Sequence, residues 1–228
     1  MKLEIVSATR SDEKTFWAQS ALGLSLRRLA FDRRVGYTVS FNNRSALAET
    51  FNSRIAATDA ADILVFAHDD IWLDDFFFVD HVAEGLNAFD VIGVVGNRRR
   101  APRQPGWAYV ERRPDGELRW DDPANLSGAI AHGAMPFGPV VNFGPGGRCE
   151  LLDGVLLAGR RLRLAGTGAL FDPIFQFHLY DLDFCRTARE KGLSLGTWPL
   201  AITHQSGGTF AGPEWERMYA TYIEKWGD

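Results

Sequence analysis

The chain of 228 residues has few cysteines, no long apolar run and no excess of positive charge. Two cysteines, Cys149 and Cys185, are too few for the disulfide framework of a small secreted domain. No apolar stretch reaches the roughly 18 residues that a membrane span needs. A formal net charge of −4 argues against a general nucleic-acid-binding protein. We therefore expect a protein of a reducing compartment, most simply the cytoplasm, without a nucleic-acid partner.

A secretory leader and an interdomain linker are also missing from the pattern. Residues 1–6 are typical of a first β strand, because the apolar stretch is short and contains Glu4. No segment resembling a flexible linker divides the chain into halves. The length suits one α/β domain spanning residues 1–228. Residues 97–148 are rich in Gly, Pro and Arg, and we expect them to form an elaborated loop and hairpin insertion.

Apolar spacing over the first hundred residues alternates between the strand and helix periods. The predicted strands cover residues 3–8, 37–41, 63–67 and 91–95. The predicted helices cover residues 11–29, capped by Ser11, residues 47–55, and residues 76–88, capped by Asp74 or Asp75. Strands that alternate with helices predict a parallel sheet covered on both faces.

The second half of the chain has a comparable pattern after the insertion. The insertion itself contains a predicted hairpin that turns at Pro114-Asp115-Gly116. Further predictions are regular structure over residues 151–158, strands over residues 195–198 and 202–204, a helix over residues 179–191 ended by Gly192, and a final helix. Large apolar residues share one face of that final helix: Trp215, Met218, Tyr219, Tyr222 and Trp226.

The first candidate site follows the apolar strand of residues 63–67, where His68, Asp69 and Asp70 stand in a row. Ligands of open parallel sheets bind at the carboxyl ends of strands. Carboxylate oxygens are the ligands that hard cations prefer, so the segment indicates a metal and phosphate site. A polar loop whose carboxylates cap the next turn is an equally good interpretation of this segment alone.

The second candidate is the pair Asp181 and Asp183 at the start of a predicted helix. Carboxylates two positions apart cannot point the same way from a helix. One can face the helix dipole while the other projects into a cleft as a general base. In isolation, two ordinary N-terminal helix acids explain the pair as well.

His204 is the third candidate, because it ends a short strand and precedes the loop Gln205-Ser206-Gly207-Gly208. Glycines there would let the backbone approach a ligand closely. A hydrogen-bonded structural histidine is the alternative.

The order of these motifs resembles that of the inverting nucleotide-sugar glycosyltransferases of family 2 and their relatives. The resemblance covers nearly the whole chain outside residues 97–148. The motifs that carry it are His68-Asp69-Asp70, Asp153-Gly154, Phe171-Asp172-Pro173, the segment from Tyr180 to Arg186, and Pro199 through His204. It implies the GT-A fold, a Rossmann-like three-layer α/β/α sandwich with a mostly parallel mixed sheet.

The resemblance also implies roles for the polar residues around the donor. The Asp-x-Asp motif of the family falls on residues 68–70, so Asp70 would bind Mn²⁺ or Mg²⁺ at the donor diphosphate. Asp69 would contact the ribose or the waters of the metal. His68 stands where the family has an acid and would hydrogen-bond ribose or phosphate, while His204 matches a metal or diphosphate ligand. Further nucleotide-sugar contacts would come from Ser7, Thr9, Asn42, Asn43 and Asn52.

On the acceptor side, Asp181 matches the catalytic base, and Tyr180 replaces the Glu that usually precedes it. Asp153 and Asp183 would contact the acceptor. Trp107 lies in the predicted hairpin, outside the part of the chain that the resemblance covers, and would stack on an acceptor sugar or, as an equally good interpretation, support the hairpin. The implied partners are a nucleoside-diphosphate sugar donor and a saccharide or other hydroxyl acceptor. Peripheral membrane association is compatible with this function.

Three other functions remain open at the level of the sequence. A retaining transferase would use the same fold. A metal-dependent phosphohydrolase of the His-Asp type would use His68 and Asp69, although such sites are built from helices. A non-catalytic sugar-binding module would need neither Asp181 nor a metal.

Overall fold

The computed structural model describes residues 1–113, 115–207 and 212–228. Predicted turn residue Pro114 and loop residue Gly208 lie outside the described residues. The helices are α1 Glu13–Gln19, α2 Ala21–Arg28, α3 Leu47–Ala56, α4 Phe78–Ala88, α5 Arg161–Thr167, α6 Tyr180–Glu190 and α7 Pro213–Trp226. Short 3₁₀ turns cover Leu29–Phe31 and Pro123–Asn125.

The strands of the first half are β1 Leu3–Ala8, β2 Val35–Ser40, β3 Ile63–Ala67, β4 Ile71–Leu73, β5 Val91–Gly93, β6 Val95–Asn97, β7 Tyr109–Arg112 and β8 Leu118–Trp120. Those of the second half are β9 Leu126–His132, β10 Val140–Asn142, β11 Gly147–Cys149, β12 Leu151–Leu152, β13 Leu156–Arg160, β14 Leu195–Thr197 and β15 Ile202–His204.

The larger sheet of the described chain has the strand order β11-β14-β5-β13-β3-β1-β2. Strand β1 pairs in parallel with β2 and β3, and β14 pairs in parallel with β5. Strand β13 is antiparallel to both β3 and β5, and β11 is antiparallel to β14. The predicted mixed sheet is therefore confirmed, with three parallel and three antiparallel pairs among its described strands.

Helices cover both faces of this sheet, as the alternation along β3 shows. Leu64 and Phe66 join a core that includes side chains of α3, α5 and α6. Ile63 and Val65 join a second core with side chains of α1, α2 and α4. Successive strand residues point to opposite faces, so one strand supplies both cores. The three-layer α/β/α arrangement follows from this double burial.

A second sheet has the order β12-β6-β9-β15-β4, with β10 paired to β9. Strands β9 and β10 lie inside residues 97–148, where the sequence pattern predicted only a hairpin and loops. That hairpin is confirmed as β7 and β8, and its turn includes a hydrogen bond from the Gly116 amide to the Arg113 carbonyl. No helix within the described ranges is both long and apolar enough to cross a bilayer.

Three predicted element bounds were wrong for local reasons. The helix predicted over residues 11–29 is broken at Ser20, whose hydroxyl caps α2 by accepting from the Gly23 amide. Asp12, rather than Ser11, caps α1. The strand predicted over residues 91–95 is divided at Val94 into β5 and β6, which belong to different sheets.

The predicted cap of α4 was also wrong. The helix begins at Phe78 without a side-chain cap. Asp75 instead accepts from the Phe77 amide, and Asp74 accepts from Thr203 and from the Phe137 amide. A buried carboxylate binds the donors that the tertiary structure provides, and those of Asp74 come from distant segments.

Gly128 in β9 allows the closest backbone approach in the second sheet. Its φ is +91°, and a Cβ there would lie 2.0 Å from the Val94 carbonyl oxygen. We predict that Gly128→Ala lowers the free energy of unfolding by about 3 kcal/mol or more, because backbone must move. Gly166→Ala in α5 is the control, since nothing lies within 4 Å of its Cβ position. Thermal unfolding should show a large loss for the first variant and none for the second; equal melting temperatures would contradict this account.

Candidate active site

A cavity of about 630 Å³ lies beside the carboxyl end of β3. Its lining includes His68, Asp69 and Asp70 after that strand, and His204 at the end of β15. Asp181 of α6 faces the same cavity. The structure thus brings together the three polar groups that the sequence pattern singled out.

Pairing of β4 with β15 places Asp70 beside His204. In this antiparallel ladder His204 lies opposite Ile71, and the Gln205 amide donates to the Asp70 carbonyl at 3.0 Å. The His204 Nε2 atom lies 3.3 Å from the Asp70 carboxylate and 3.1 Å from the Ser206 hydroxyl. The ladder fixes the separation of two side chains that are far apart in the chain.

His68 is the third member of this group. Its Nδ1 atom lies 3.9 Å from the Asp70 carboxylate. One ligand atom from each of His68, Asp70 and His204 lies within 4.8 Å of the others. The other ring nitrogen of His68, Nε2, lies 3.0 Å from the Tyr180 hydroxyl.

The three side chains have the donor types that a divalent transition metal accepts, namely two imidazole nitrogens and one carboxylate. Burial tends to raise the pKa of Asp70, but its hydrogen bond to His204 and the nearby His68 and Ser206 lower it to about 2. Burial lowers the pKa of His68. A charged carboxylate and a neutral imidazole are the forms that bind metal, so these residues fit such an ion.

Asp181 lies in the first turn of α6, where its carboxylate accepts from the Gly154 amide at 3.0 Å. Burial, and then the charge of Asp153, raise the pKa of Asp181 to about 7. Leu179, which directly precedes α6, has a left-handed φ of +62°. Such strain in a non-glycine residue costs about 1–3 kcal/mol and is concentrated at functional sites.

Trp107 and Asp153 form the wall of the cavity near Asp181. The indole N–H of Trp107 donates to Asp153 at 2.6 Å, and the other carboxylate oxygen accepts from the Val155 amide. Trp107 also contacts Phe143 edge to face, and Phe143 stacks on Trp120. Aromatic faces of this kind can support a sugar ring, and acceptor binding by Trp107 stays a prediction.

Asn52 and Asp183 are among the predicted site residues that do not line the cavity. Asn52 uses its amide to donate to the Phe171 carbonyl at 2.7 Å and to accept from the Phe171 amide at 3.0 Å. Asp183 is fully buried, with Lys225 at 2.7 Å and the Trp226 indole N–H at 2.9 Å. These contacts hold α3 and α7 in place and do not line the cavity.

The predicted residues at the ends of β1 and β2 make mainly backbone contacts. The hydroxyl of Ser7 is buried and donates to the Ala67 carbonyl, and that of Thr9 accepts from the Ser11 amide. Asn42 has a left-handed φ of +51°, and Asn43 donates to the Ser45 carbonyl. None of these four residues lines the cavity, although the neighbouring Ala8 does.

Sequence reasoning missed the structural importance of Gly154 and Tyr180. A Cβ at Gly154 would lie 2.4 Å from the Tyr180 hydroxyl and 2.8 Å from the Asp181 Cβ. The glycine therefore allows α6 to approach the loop before β13. Asp153-Gly154 stood out in the sequence as a motif, but nothing in the sequence alone indicated its contact with residues 180 and 181.

Comparisons with known proteins show the fold. No family model and no curated protein matches this sequence. Among solved structures, GalNAc-T7 with UDP, GalNAc and Mn²⁺ matches with a TM-score of 0.54 and 12% identity, over 98% of this chain and 48% of that one. The catalytic domain of Drosophila β1,4-galactosyltransferase 7 with xylobiose matches with a TM-score of 0.50 and 10% identity, over 96% and 79% of the two chains.

The chain has the GT-A fold. This confirms the fold expected from the order of the motifs, whereas membership of family 2 stays a prediction.

The burial of Asp183 generates a prediction that separates stability from function. Asp183→Ala should lower the free energy of unfolding by about 2 kcal/mol, because Trp226 loses its acceptor and Lys225 keeps only Asp172. We expect the melting temperature to fall by about 4–8 °C. The control is Asp59→Ala, whose side chain is exposed. If Asp183 instead contacted an acceptor, the variant would lose ligand binding without losing stability.

Proposed function

We propose that this chain is a glycosyltransferase that moves a sugar from a nucleoside-diphosphate sugar to an acceptor hydroxyl, with inversion and with a divalent metal. The observation that carries the proposal is one cavity lined both by Asp181, with its raised pKa, and by His68, Asp70 and His204. A base and an anion-stabilising group on one cavity are what a direct displacement needs. Membership of family 2 belongs to the same proposal.

In the proposed reaction the acceptor oxygen forms a bond to the anomeric carbon while the bond from that carbon to the diphosphate oxygen breaks. The acceptor proton passes to Asp181, and the electron pair of the broken bond stays on the nucleoside diphosphate. His68, Asp70 and His204 would hold Mn²⁺ or Mg²⁺, which when bound supplies Lewis-acid neutralisation of the diphosphate. Asp153 and Trp107 would contact the acceptor, and Asp69 the ribose.

Support for the donor class comes from the fold neighbours. GalNAc-T7 was crystallised with UDP, GalNAc and Mn²⁺. A mutant of the Drosophila galactosyltransferase was crystallised with manganese, UDP-Gal and xylobiose. UDP-sugars are therefore the first donors to test. A His-Asp phosphohydrolase fits the site less well, since His68 and Asp69 follow a buried strand and such sites are built from helices.

The deciding experiment incubates the protein with a panel of UDP-, GDP- and dTDP-sugars and simple glycoside acceptors, with and without Mn²⁺. Mass spectrometry would detect the glycosylated acceptor, and NMR of the new anomeric centre would separate inversion from retention. Hydrolysis of plain phosphoesters without transfer would favour the phosphohydrolase. Binding of a saccharide with neither transfer nor donor hydrolysis would favour the sugar-binding module.

Asp181→Asn tests the base. We expect transfer to fall by at least about 10²-fold because the amide cannot accept the proton, while donor binding measured by calorimetry is kept. The same variant should be more stable than the parent, because a carboxyl with a raised folded-state pKa destabilises the fold as pH rises above its unfolded value. The gain should grow from pH 4 to pH 7 and then level off.

The matched control for this variant is Asp59→Asn, an exposed aspartate outside the cavity. It should change neither transfer nor the melting temperature. Normal turnover in Asp181→Asn would show that another group takes the proton.

The pH profile gives an independent test. A base with a pKa of about 7 acts only when deprotonated, so kcat/KM should rise with pH and level off above about 7. Asp153→Asn removes a negative charge that raises the pKa of Asp181, so the rising limb should move to lower pH. The midpoint of the rising limb should stay above the ordinary pKa of an aspartate, because burial contributes more to the raised pKa than Asp153 does. If the rising limb does not move, the charge of Asp153 does not affect the pKa of the base.

A further inference from the structure

We propose that Tyr180 is a positioning residue that holds His68 in one tautomer, with the proton on Nε2 and the lone pair on Nδ1. The consequence is a site of two imidazoles and one carboxylate that prefers Mn²⁺ or a later first-row ion to Mg²⁺. This inference rests on the metal site of the proposed function and assigns Tyr180 a role within it.

The directions of the hydrogen bonds around Tyr180 determine which ring nitrogen of His68 carries the proton. Its hydroxyl lies 2.7 Å from the Gly154 carbonyl oxygen and 3.0 Å from Nε2 of His68. A carbonyl can only accept, so the single hydroxyl proton goes to Gly154. The hydroxyl oxygen then accepts from His68, whose Nε2 must carry a proton. If Nε2 of His68 were unprotonated, the Tyr180 hydroxyl would have to donate to it. The lone pairs of the Tyr180 and Gly154 oxygens would then face each other at 2.7 Å in a buried site.

The other nitrogen of His68 follows from the tautomer. A neutral imidazole carries one proton, so Nδ1 has a free lone pair. Nδ1 lies 3.9 Å from the Asp70 carboxylate, longer than a hydrogen bond. Nδ1 is therefore the ring nitrogen left to act as the ligand atom of His68 in the group with Asp70 and His204. Such a hydrogen bond to the remote nitrogen is how proteins orient metal-binding histidines.

Packing fixes the ring as well as its proton. Phe177 stacks on His68 with ring centroids 5.7 Å apart and planes at 26°. Tyr180 itself is almost fully buried, and the absence of a side chain at Gly154 leaves the space that its hydroxyl occupies. His68 therefore has little freedom to turn Nδ1 away from Asp70.

This arrangement relates two residues that depart from the family pattern. His68 stands at the position of an acid, and Tyr180 at the position of a Glu. The structure shows that the two replacements contact each other. Replacing an oxygen ligand by an imidazole shifts the preference away from Mg²⁺, which takes oxygen ligands, toward transition metals.

Ring-nitrogen NMR of the metal-free, ¹⁵N-histidine-labelled protein tests the tautomer without any mutation at the site. We expect the His68 signals to show a protonated Nε2 and an unprotonated Nδ1. A protonated Nδ1 in the neutral ring would overturn the proposal.

Calorimetric titration with MnCl₂ and MgCl₂ tests the consequence for the metal. We expect wild type to bind Mn²⁺ more tightly than Mg²⁺, and Tyr180→Phe to bind Mn²⁺ about 10–100-fold more weakly. The control is Tyr222→Phe, which also removes a buried tyrosine hydroxyl but one that contacts Arg186. His68→Asp should raise the affinity for Mg²⁺ relative to Mn²⁺.

A double-mutant comparison distinguishes the positioning of His68 by Tyr180 from a merely structural role of Tyr180. In a His68→Ala background, Tyr180→Phe should cause no further loss of Mn²⁺ affinity, since there is no imidazole to position. An equal loss in both backgrounds, or wild-type Mn²⁺ binding by Tyr180→Phe, would overturn the proposal. These titrations use no sugar donor, so metal binding without transfer would count against the proposed function alone.

Discussion

The pairing of β4 with β15 is the constraint on which the candidate site depends. The chain leaves β3 through His68, Asp69 and Asp70 and immediately enters β4. Because β15 runs antiparallel to β4, its last residue, His204, lies next to Asp70. The register of a ladder is fixed along its whole length, so the backbone determines the spacing of the two side chains before any ligand binds. A rigid scaffold of this kind preorganises a site.

A second constraint is the insertion of β13 between β3 and β5. Its antiparallel direction carries the preceding loop, with Asp153 and Gly154, to the end of β3 where His68 lies. The loop then meets the first turn of α6, and Gly154 contacts both Tyr180 and Asp181. Burial between these segments and the charge of the neighbouring Asp153 raise the pKa of Asp181, whereas the hydrogen bond from the Gly154 amide lowers it. Burying such a carboxyl lowers the stability of the folded state. The two large cores of the sandwich offset this loss.

Much of the fold could be predicted because its signals are local. The apolar strand of residues 63–67, the helix beginning near residue 180 and the C-terminal helix all appear as predicted. Their apolar periodicity reflects burial that any packing of the element would require. The sequence-based predictions were wrong where one local sequence pattern is compatible with several structures. Ser20 breaks a continuous helical pattern, Val94 divides one apolar run between two sheets, and Asp183 pairs with a lysine more than forty residues away.

For the site, the sequence by itself determined which chemistry was present: a strand ending in His68, Asp69 and Asp70, a helix beginning with acids, and a strand ending in His204. Only the tertiary structure decided which of these side chains meet. It separated Asp181, which faces the cavity, from Asp183, which is buried under α7. It also joined His68 to Tyr180. The physical reason is that side-chain direction follows from helix phase and strand register, and these are set by contacts between segments distant in the chain.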